Sequence, residues 1–426
     1  MTDPAYRRIR ALWPDHLGLA RGKLLLPGAA ETGHCLATFA LGFDREMDAY
    51  PNSGLLDGLP DMRAVFDPGA IRPGWSEGTG VVVADLEQHG KPLERSSRRI
   101  LKRAIAEHES DGRHPVVGIE LEAFLLQPDG EGGFRAVHTP GSHVYGSGPL
   151  MDPGGVMEAV LDAADRCGIV LESFHSEYDD GQFELTLGKK EALAAADEAF
   201  LFKLLAREVA AERGYHLTFI GKPFSDRGGS GLHVNLSLEA GGKNVFGDPD
   251  GESGLSQLAW SAVAGMLHHH RGLAGAVAPT VNAYRRLRPG QMSGYWANWG
   301  HDHRGCAVRI PLERGAGSRV EHRLADGSCG PHLGVAATLL AARLGIQGGM
   351  APPPEEKGDC LEASECPVNV ADDLARALDD LEKDEGLVAA FGEEFVRMHV
   401  TVKRREWERF RAHTGDWEKR EYIPYL

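Results

Sequence analysis

Cysteine, long apolar runs and excess positive charge are scarce or absent in this chain of 426 residues. The chain has six cysteines, which are Cys35, Cys167, Cys306, Cys329, Cys360 and Cys366. None has CxxC spacing, which favours reduced thiols in a cytoplasm over a disulfide framework or a zinc site. No run approaches about 18 apolar residues, and the first residues lack the apolar core of a signal peptide. We therefore expect a cytoplasmic protein with no membrane partner.

Acidic residues outnumber basic residues by 62 to 46, which gives a formal net charge of −16. This excess argues against a general nucleic-acid partner. Neither GxxxxGK[ST] nor a strand-GxGxxG-helix pattern occurs, which argues against a P-loop or a Rossmann site. The net charge is compatible with ATP, because a local cluster of arginines with metal ions can hold a triphosphate.

Residues 118–126 form a predicted buried strand with two glutamates on one face. The strand follows a Pro-Val-Val run and ends before a turn sequence at residues 127–130. Glu120 and Glu122 are two residues apart, so they project from the same face. Two like charges on an apolar strand are costly unless a cation compensates them, and Mg²⁺ or Mn²⁺ fits carboxylate ligands best. The alternative is an edge strand with two solvated glutamates.

Downstream strands repeat this alternation of polar and apolar residues. Glu184 alternates with apolar neighbours. The strand near residue 232 has one apolar face, and its opposite face carries His233, Asn235 and Ser237. A polar inner row beside an apolar outer row indicates a curved sheet that lines a cavity.

Helical spacing appears in several other segments. We predict helices over residues 97–109, 156–167, 192–213 and 257–273, and two or three amphipathic helices between residues 372 and 426. His268, His269 and His270 are consecutive, so on one helix they point about 100° apart and cannot all bind one metal. We interpret them as a partly exposed helix face. The length of the chain favours two domains, and Pro and Ser residues near 92–97 mark a junction.

Several spaced motifs resemble the glutamine synthetase family. They are the Glu-x-Glu strand, residues 177–184, Lys222-Pro223 leading to a Gly-Ser-Gly-Leu-His sequence, and residues 282–290, 303–311 and 319–323. The resemblance covers residues 95–426 well and residues 1–92 weakly. It implies an α+β fold with a small β-grasp-like domain over residues 1–92. Residues 93–426 would form the catalytic domain, a curved antiparallel sheet flanked by helices.

The resemblance also implies a role for individual residues. One metal would be bound by Glu122, Glu177 and Glu184, and a second by Glu120, His233 and Glu321. Four arginines would act in catalysis on the phosphoryl group or the acid substrate, namely Arg286, Arg304, Arg309 and Arg323. Arg286 and Arg323 would bind the acid substrate, and Gly229 would let the backbone approach that substrate closely. The nucleotide side would include Asn235, Ser237, Arg319 and Lys222. The implied cofactors are ATP and two to three divalent ions, Mg²⁺ or Mn²⁺.

The sequence departs from ammonia-using members of the family at one position. Those members have a glutamate that helps to deprotonate ammonium, and here Met292 stands at that position. A thioether binds no cation and leaves room for an apolar amine. Aromatic walls are expected from Tyr295, Trp296 and Trp299. The acidic ammonium-binding motif is not recognisable either, and residues 52–61, with Asp57 or Asp61, are the nearest stretch.

We therefore predict a ligase of the γ-glutamyl-amine branch, which joins glutamate to an organic amine with ATP. Three alternatives are a glutamine synthetase that uses ammonia, a non-catalytic relative, and a related carboxylate or guanidino phosphotransferase. The resemblance further implies a homo-oligomeric ring, often a dodecamer, in which a neighbour's N-terminal domain completes each site. Residues 359–361 lack the tyrosine that is adenylylated in some members, so we predict no such control.

Overall fold

A computed structural model of the protein describes residues 6–26, 31–34, 61–139 and 143–426. The sequence also has short β-like runs at residues 35–43 and 80–84. The first run lies outside the described residues, and so does Asp57. The strand predicted at residues 80–84 is confirmed within one residue, as Thr79–Val83. Asp61 is described and is exposed.

Two small sheets form the described part of the N-terminal region. One has the strand order β2-β1-β6-β5, and the other has the order β3-β4-β7-β8. The strands are β1 Arg8–Pro14, β2 Ala20–Leu25, β3 Glu31–His34, β4 Met62–Val65, β5 Arg72–Pro73, β6 Thr79–Val83, β7 Asp85–Gln88 and β8 Lys91–Pro92. The β-grasp topology and the domain boundary at residue 92 stay predictions.

A ten-stranded sheet carries the candidate site, with the order β11-β12-β9-β14-β18-β17-β16. Two further strands, β10 and β13, pair with β9, and β15 pairs with β14. The bounds are β9 His114–Pro128, β10 Phe134–Ala136, β11 Leu171–Ser176, β12 Gln182–Glu191, β13 His216–Thr218, β14 Leu232–Ala240, β15 Lys243–Asn244, β16 Trp299–His301, β17 Val308–Ile310 and β18 Val320–His322. Its described pairings are antiparallel except that between β16 and β17, in agreement with the predicted antiparallel sheet.

The helices of the described residues pack against this sheet and against one another. They are α1 Ser97–Ser110, α2 Val156–Arg166, α3 Ala192–Glu212, α4 Gln257–His268, α5 His270–Val277, α6 Ala283–Arg286, α7 Pro331–Gln347, α8 Leu374–Lys383, α9 Glu385–Phe391, α10 Glu393–Ala412 and α11 Asp416–Tyr422. The predicted helices at 97–109, 156–167 and 192–213 are confirmed. None of these described helices has both the length and the apolar character required to cross a membrane.

The helix predicted at residues 257–273 is wrong in one respect, because it is two helices. Helix α4 ends at His268 and α5 begins at His270. Only His268 is exposed, whereas His269 and His270 are buried. His269 is 2.7 Å from a carboxylate oxygen of Asp384, and Nε2 of His270 is 3.3 Å from the carbonyl oxygen of Tyr295. The prediction of a partly exposed histidine face is therefore wrong for two of the three residues.

Strand β9 lies in the interior of the large sheet, between β12 and β14. Val117, Ile119 and Leu121 are fully buried on its apolar face, while Glu120 and Glu122 point to the other face. The alternative of an edge strand with two solvated glutamates is therefore wrong. The period-2 alternation of the sequence decides which face of the sheet holds the core and which holds the site.

Candidate active site

The register of the large sheet brings the predicted metal-binding residues together. Glu122 on β9 lies opposite Glu184 on β12, and Glu120 lies opposite His233 on β14. Strand β18, which carries Glu321, pairs with the other edge of β14. Glu177 follows directly after the end of β11. The residues that converge in this carboxylate cluster are Glu120, Glu122, Glu177, Glu184, His233 and Glu321.

His233 occupies the centre of the cluster. Its Nδ1 lies 3.2 Å from Oε2 of Glu120 and 3.8 Å from Oε1 of Glu321. Its Nε2 lies 3.5 Å from Oε1 of Glu122, and among the described residues this buried nitrogen has no hydrogen-bond partner. A buried ring nitrogen without a partner is costly, and a divalent ion would satisfy it.

His175 belongs to the same region, although the sequence analysis missed it. Its Nε2 is 3.2 Å from Oε1 of Glu184, and its Nδ1 is 4.0 Å from Oε1 of Glu177. These three residues offer ligand atoms within 4.8 Å of one another, and so do Glu120, Glu184 and His233. The grouping differs from the two sets that the resemblance implied, because Glu184 is common to both groups. The signal that was overlooked is the spacing of two residues between His175 and Glu177, which continues the row along β11.

The electrostatics of the cluster fit a divalent ion. Burial, together with the negative charges of Glu122 and Glu184, raises the pKa of Glu177 to about 7. Burial also opposes ionisation of Glu120, but hydrogen bonds from His233 and Asn235 outweigh it and lower the pKa of Glu120. The negative charges of the cluster are therefore not fully compensated by protein groups. A hard cation that prefers oxygen ligands would compensate them.

The negative charge of Glu321 is compensated by two arginines. Its side chain is fully buried, and Nη1 of Arg309 donates to its Oε2 at 2.7 Å. Arg323 donates to its Oε1. Burial alone would raise the pKa of Glu321, yet the charges of Arg323 and Arg309 hold it below its usual range. Both arginines were predicted catalytic residues, and they meet at this carboxylate.

A cavity of about 400 Å³, cavity 1, opens on one side of the cluster. Its charged lining comprises Glu122, Glu177, Asp179, Glu184, Arg286, Arg304 and Arg323. Arg286 is buried, and its guanidinium nitrogens donate to the carbonyl oxygens of Arg323 and Leu324 at 3.4 Å. Three of the four arginines predicted for catalysis thus face one cavity, next to four carboxylates.

Two glycines allow the chain to approach Arg286 closely. A Cβ on Gly229 would lie 2.8 Å from the carbonyl oxygen of Gly221 and 3.0 Å from Cγ of Arg286. A Cβ on Gly231 would lie 2.7 Å from Nη2 of Arg286 and 2.8 Å from Nε2 of His233. A side chain at Gly229 would clash with the backbone, and one at Gly231 would displace Arg286 or His233. The approach of Gly229 to the substrate stays a prediction.

A cavity of about 340 Å³, cavity 2, lies on the other side and is lined by Glu120, Asn235, Ser237 and Arg319. Nε of Arg319 donates to Oδ1 of Asn235 at 3.1 Å, and Nδ2 of Asn235 donates to Oε1 of Glu120 at 2.9 Å. Three residues predicted for the nucleotide side therefore share a cavity that connects to the cluster. Lys222 does not line cavity 2, because its Nζ lies 3.4 Å from Oε1 of Gln291, a residue of cavity 1.

The apolar wall of cavity 1 contains Met292, as the amine prediction requires. The other residues of this wall are Val144, Tyr145, Tyr178 and Leu361, which the sequence analysis missed. No sequence pattern marked them, since they come from loops whose packing is set by the tertiary fold.

The aromatic walls predicted from Tyr295, Trp296 and Trp299 are wrong, since none of these residues lines cavity 1. Tyr295 and Trp299 are buried, and Nε1 of Trp299 donates to the carbonyl oxygen of Pro353 at 2.7 Å. These rings are packed into the core and do not face the cavity.

Comparisons with known proteins agree on one family. Residues 94–422 match the family described as glutamine synthetase, catalytic domain. The glutamine synthetase of Clostridium saccharobutylicum is 33% identical over 374 residues, 85% of this chain and 84% of that protein. The glutamine synthetase of Methanosarcina mazei is 30% identical over 413 residues, 92% of each chain.

Solved structures show the same likeness. A structure named "Apo GmaS without ligand" has a TM-score of 0.85 at 30% identity and covers 99% of this chain and 100% of its own. A structure named "GmaS/ADP complex-Conformation 1" has a TM-score of 0.84 at 29% identity and covers 100% of both chains. The second relative is thus a nucleotide complex. The likeness confirms the predicted mixed helix-and-sheet fold in its coarse form.

Proposed function

The chain belongs to the glutamine synthetase family, and from this premise we propose that it joins glutamate to an organic amine with ATP. Members of the family are ATP-dependent carbon–nitrogen ligases, and this chain is one of them. The family assignment sets aside the phosphotransferase alternative. The metal-binding residues of the carboxylate cluster favour an active ligase over a non-catalytic relative. The proposal concerns the substrates and the residues that act on them.

The nucleotide would bind in cavity 2, with its terminal phosphate at the carboxylate cluster. Arg319 and Asn235 line this cavity and connect by hydrogen bonds to Glu120. Two or three divalent ions, Mg²⁺ or Mn²⁺, would be held by Glu120, Glu122, Glu177, Glu184, His233 and Glu321. Such ions stabilise the negative charge of a phosphoryl group in transfer when they are bound.

The acid substrate would bind in cavity 1, which is lined by Arg286, Arg304 and Arg323, and these arginines would contact its carboxylates. A γ-carboxylate oxygen then attacks the γ-phosphorus of ATP, which yields an acyl phosphate and ADP. The lone pair of a neutral amine attacks the acyl carbon, the bond to phosphate breaks, and the amine loses a proton. The products are the γ-glutamyl amide and inorganic phosphate.

The amine end of cavity 1 carries the proposal of an organic amine. Met292 is 44% exposed and lines this cavity with Leu361, Val144 and two tyrosines. A wall of this composition gains free energy when it covers an alkyl group, and it offers no charge to an ammonium ion. The position of Met292 in the wall is the observation on which the amine preference depends.

The direct test measures phosphate release with glutamate, ATP and a panel of ammonia, alkylamines, ethanolamine, polyamines and aniline, with the product mass as a second readout. We expect an organic amine to give a kcat/KM at least about tenfold above that of ammonia, since about 1.4 kcal/mol of apolar contact is sufficient for this ratio. Best turnover with ammonia would refute the preference.

A substitution of the wall sharpens this test. Met292→Glu restores a carboxylate at the position where ammonia-using members have one, so we expect it to lower kcat/KM for the organic amine and raise it for ammonia. Leu312→Glu is the matched control, because Leu312 is exposed and lies outside the lining of cavity 1. An unchanged ratio of the two substrates in Met292→Glu would show that Met292 does not contact the amine.

A second candidate function, ammonia-dependent glutamine synthetase, is favoured by one observation. Asp179 lines cavity 1 and accepts a hydrogen bond from the backbone nitrogen of Gly228. This carboxylate is available to attract ammonium in place of the residue that Met292 replaces. Asp179→Asn would abolish ammonia-dependent turnover if this candidate is correct, and would leave turnover of an apolar amine largely intact if the first is.

A further inference from the structure

His303, Cys306 and Cys360 lie together outside the carboxylate cluster. Each offers a ligand atom, and these three atoms are within 4.8 Å of one another. Both cysteines are fully buried, and His303 is half-buried. Nε2 of His303 is 4.0 Å from Sγ of Cys360. The sequence argued against a zinc site because no CxxC spacing occurs, but the fold supplies the proximity that the spacing lacks.

Both nitrogens of the His303 ring contact the backbone. Nδ1 accepts a hydrogen bond from the backbone nitrogen of Gly305 at 3.1 Å, so the proton of a neutral ring is on Nε2. Nε2 donates it to the carbonyl oxygen of Gly358 at 2.8 Å. A bound ion would replace the contact with Gly305, and the ring would still donate its other N–H to a backbone carbonyl, the arrangement usual for a metal-ligating histidine.

The glycine between the ligands keeps the space among them open. A Cβ on Gly305 would lie 3.0 Å from Cε1 of His303, 3.1 Å from Sγ of Cys360 and 3.3 Å from Nδ1 of His303. Gly305 does not have a positive φ, so backbone conformation gives no reason for glycine there. Its role is to leave room between a nitrogen and a sulfur.

The segment that contributes Cys360 is unusually long for an irregular one. Residues 348–373, between α7 and α8, contain neither a helix nor an extended strand. Loops beyond about 12–15 residues without secondary structure are uncommon in compact domains and are often functional. A cross-link between this segment and the 303–306 loop gives the segment a fixed position without regular structure.

We propose that His303, Cys306 and Cys360 bind a divalent zinc ion. Two thiolates and one neutral imidazole balance the double charge of the ion, so the buried site is neutral overall. Each thiol loses its proton to solvent as its sulfur binds the ion, and the lone pair of a His303 nitrogen completes the protein ligands. Three protein ligands leave a fourth tetrahedral position for water, on the side where His303 is accessible.

The ion would connect two walls of the substrate cavity. Arg304 directly follows His303 and Leu361 directly follows Cys360, and both line cavity 1. The backbone nitrogen of Gly290 also donates to the carbonyl oxygen of Leu361 at 2.8 Å, which links the Met292 loop to the same segment. Bound zinc would thereby fix the amine end of the cavity while it takes no part in the reaction.

The test uses Co²⁺ as a spectroscopic substitute for zinc, because thiolate ligands give a charge-transfer absorption that carboxylates and histidines alone do not. The full chain is titrated with Co²⁺ in excess Mg²⁺, which occupies the carboxylate cluster. We expect the absorption to saturate at one equivalent and to be displaced by Zn²⁺. Both sulfurs are buried in the native fold, so alkylation is followed in urea at concentrations that open the chain. Zinc should slow alkylation of Cys306 and Cys360, and not of Cys366, as mapped by mass spectrometry.

Variants assign the absorption to residues. Cys306→Ser and Cys360→Ser should each lose it, whereas Cys366→Ser should retain it. Cys366 is the matched control, because it lies in the same segment and its Sγ donates to the carbonyl oxygen of Ala297 at 3.2 Å instead. The alkylation experiment needs no variant, so a folding defect in either serine variant leaves the proposal testable.

Three results would overturn the site. They are a titration without thiolate absorption, equal alkylation of Cys306 and Cys360 with and without zinc, and an absorption that persists in both serine variants. The purified chain could contain a Cys306–Cys360 disulfide, which its intact mass would show. If such a chain binds Co²⁺ only after reduction, the result supports the site, since the same sulfurs then serve as ligands. A disulfide that forms with no cobalt absorption after reduction would replace the metal site by a redox pair.

Discussion

Glu177 is the carboxylate with the least compensation in the cluster. Two arginines neutralise Glu321, and hydrogen bonds from His233 and Asn235 lower the pKa of Glu120. Glu177 has neither, and burial with two neighbouring carboxylates raises its pKa to about 7. Without an ion, repulsion among the carboxylates destabilises the fold at Glu177. A bound divalent ion would remove this repulsion, so the relieved repulsion adds to the free energy of ion binding.

Glu177→Gln separates this repulsion from the role of the residue as a ligand. We expect the variant to lose roughly 10- to 100-fold in affinity for Mn²⁺, since an anionic ligand is removed. Its melting temperature without divalent ions should equal or exceed that of the native chain, because a like charge is removed as well. Isothermal titration calorimetry and thermal melts measure the two quantities.

Glu158→Gln is the control for Glu177→Gln, since Glu158 is exposed on α2. It should change neither the affinity nor the melting temperature. A Glu177→Gln chain that binds Mn²⁺ with native affinity would show that Glu177 is not a ligand.

The residues of the site differ in how far the sequence predicts them. Glu120, Glu122 and Glu184 alternate with apolar residues, so their common face follows from strand geometry alone. Tyr145 and Leu361 line the same cavity from irregular segments, where no period relates position to direction. Cys306 and Cys360 are distant in sequence and meet through tertiary packing, so their spacing carried no signal.

Buried histidines connect the helices of the protein. Nε2 of His108 on α1 donates to the carbonyl oxygen of Leu339 on α7 at 3.1 Å. Nε2 of His399 on α10 donates to the carbonyl oxygen of Gly275 on α5 at 2.9 Å. A ring nitrogen next to a carbonyl oxygen must carry a proton, and burial favours the neutral ring. Burial lowers the pKa of His108 and His270 to about 4, and burial with the charge of Lys403 does so for His399.

These histidines predict a loss of stability in acid. The folded-state pKa of about 4 is below the ordinary value of 6.5, so between these values the unfolded chain binds protons that the folded chain does not. Stability contributed by each neutral histidine is complete above pH 6.5 and falls as the pH falls toward 4. In the middle of this window each histidine contributes roughly 1.4 kcal/mol per pH unit.

His399→Gln tests this element-level effect, because glutamine retains an N–H donor for Gly275 and does not titrate. We expect the drop in melting temperature between about pH 7.5 and about pH 5 to be smaller in the variant. Glu177 titrates with the opposite sign in both chains, so it cancels in the difference. His413→Gln, at an exposed histidine, is the control and should keep the native drop. Equal drops in His399→Gln and the native chain would contradict the assignment.

The break between α4 and α5 is a helix boundary that the sequence does not predict. Residues 257–273 have continuous helical periodicity, and their two glycines, Gly265 and Gly272, lie inside the helices and not at the break at residue 269. The helix ends because His269 pairs with Asp384 at the start of α9 and His270 enters the core. Tertiary contacts decide such a boundary. In α8, by contrast, Leu374, Leu378 and Leu381 have the spacing of one helix face, and all three are buried, as the prediction of an amphipathic helix requires.

At the scale of the whole molecule, the N-terminal sheets are joined to the catalytic part by specific contacts. Arg10 on β1 forms two hydrogen bonds of 2.7 Å with Glu208 on α3, and Nε1 of Trp75 donates to the same carboxylate at 2.7 Å. Leu12 and Met62 belong to the hydrophobic core that also contains β9. The described N-terminal residues are therefore positioned relative to the site through packed contacts, which a ring with sites shared between subunits would require.

The C-terminal residues point to where such a ring would be joined. Trp417, Tyr422, Ile423, Tyr425 and Leu426 are between 48% and 99% exposed, on and after α11. Five large apolar side chains exposed in ten residues are unusual for a monomer surface and favour contact with a second copy of the chain.

We predict that removal of residues 417–426 reduces the assembly to smaller species in sedimentation velocity, with the helix content of the subunit otherwise retained. Glu418→Gln on the same helix should leave the assembly intact, since a charge at the rim contributes little. A native chain that sediments as a monomer, or a truncated chain that sediments like the native one, would contradict both the ring and the role of this segment in it.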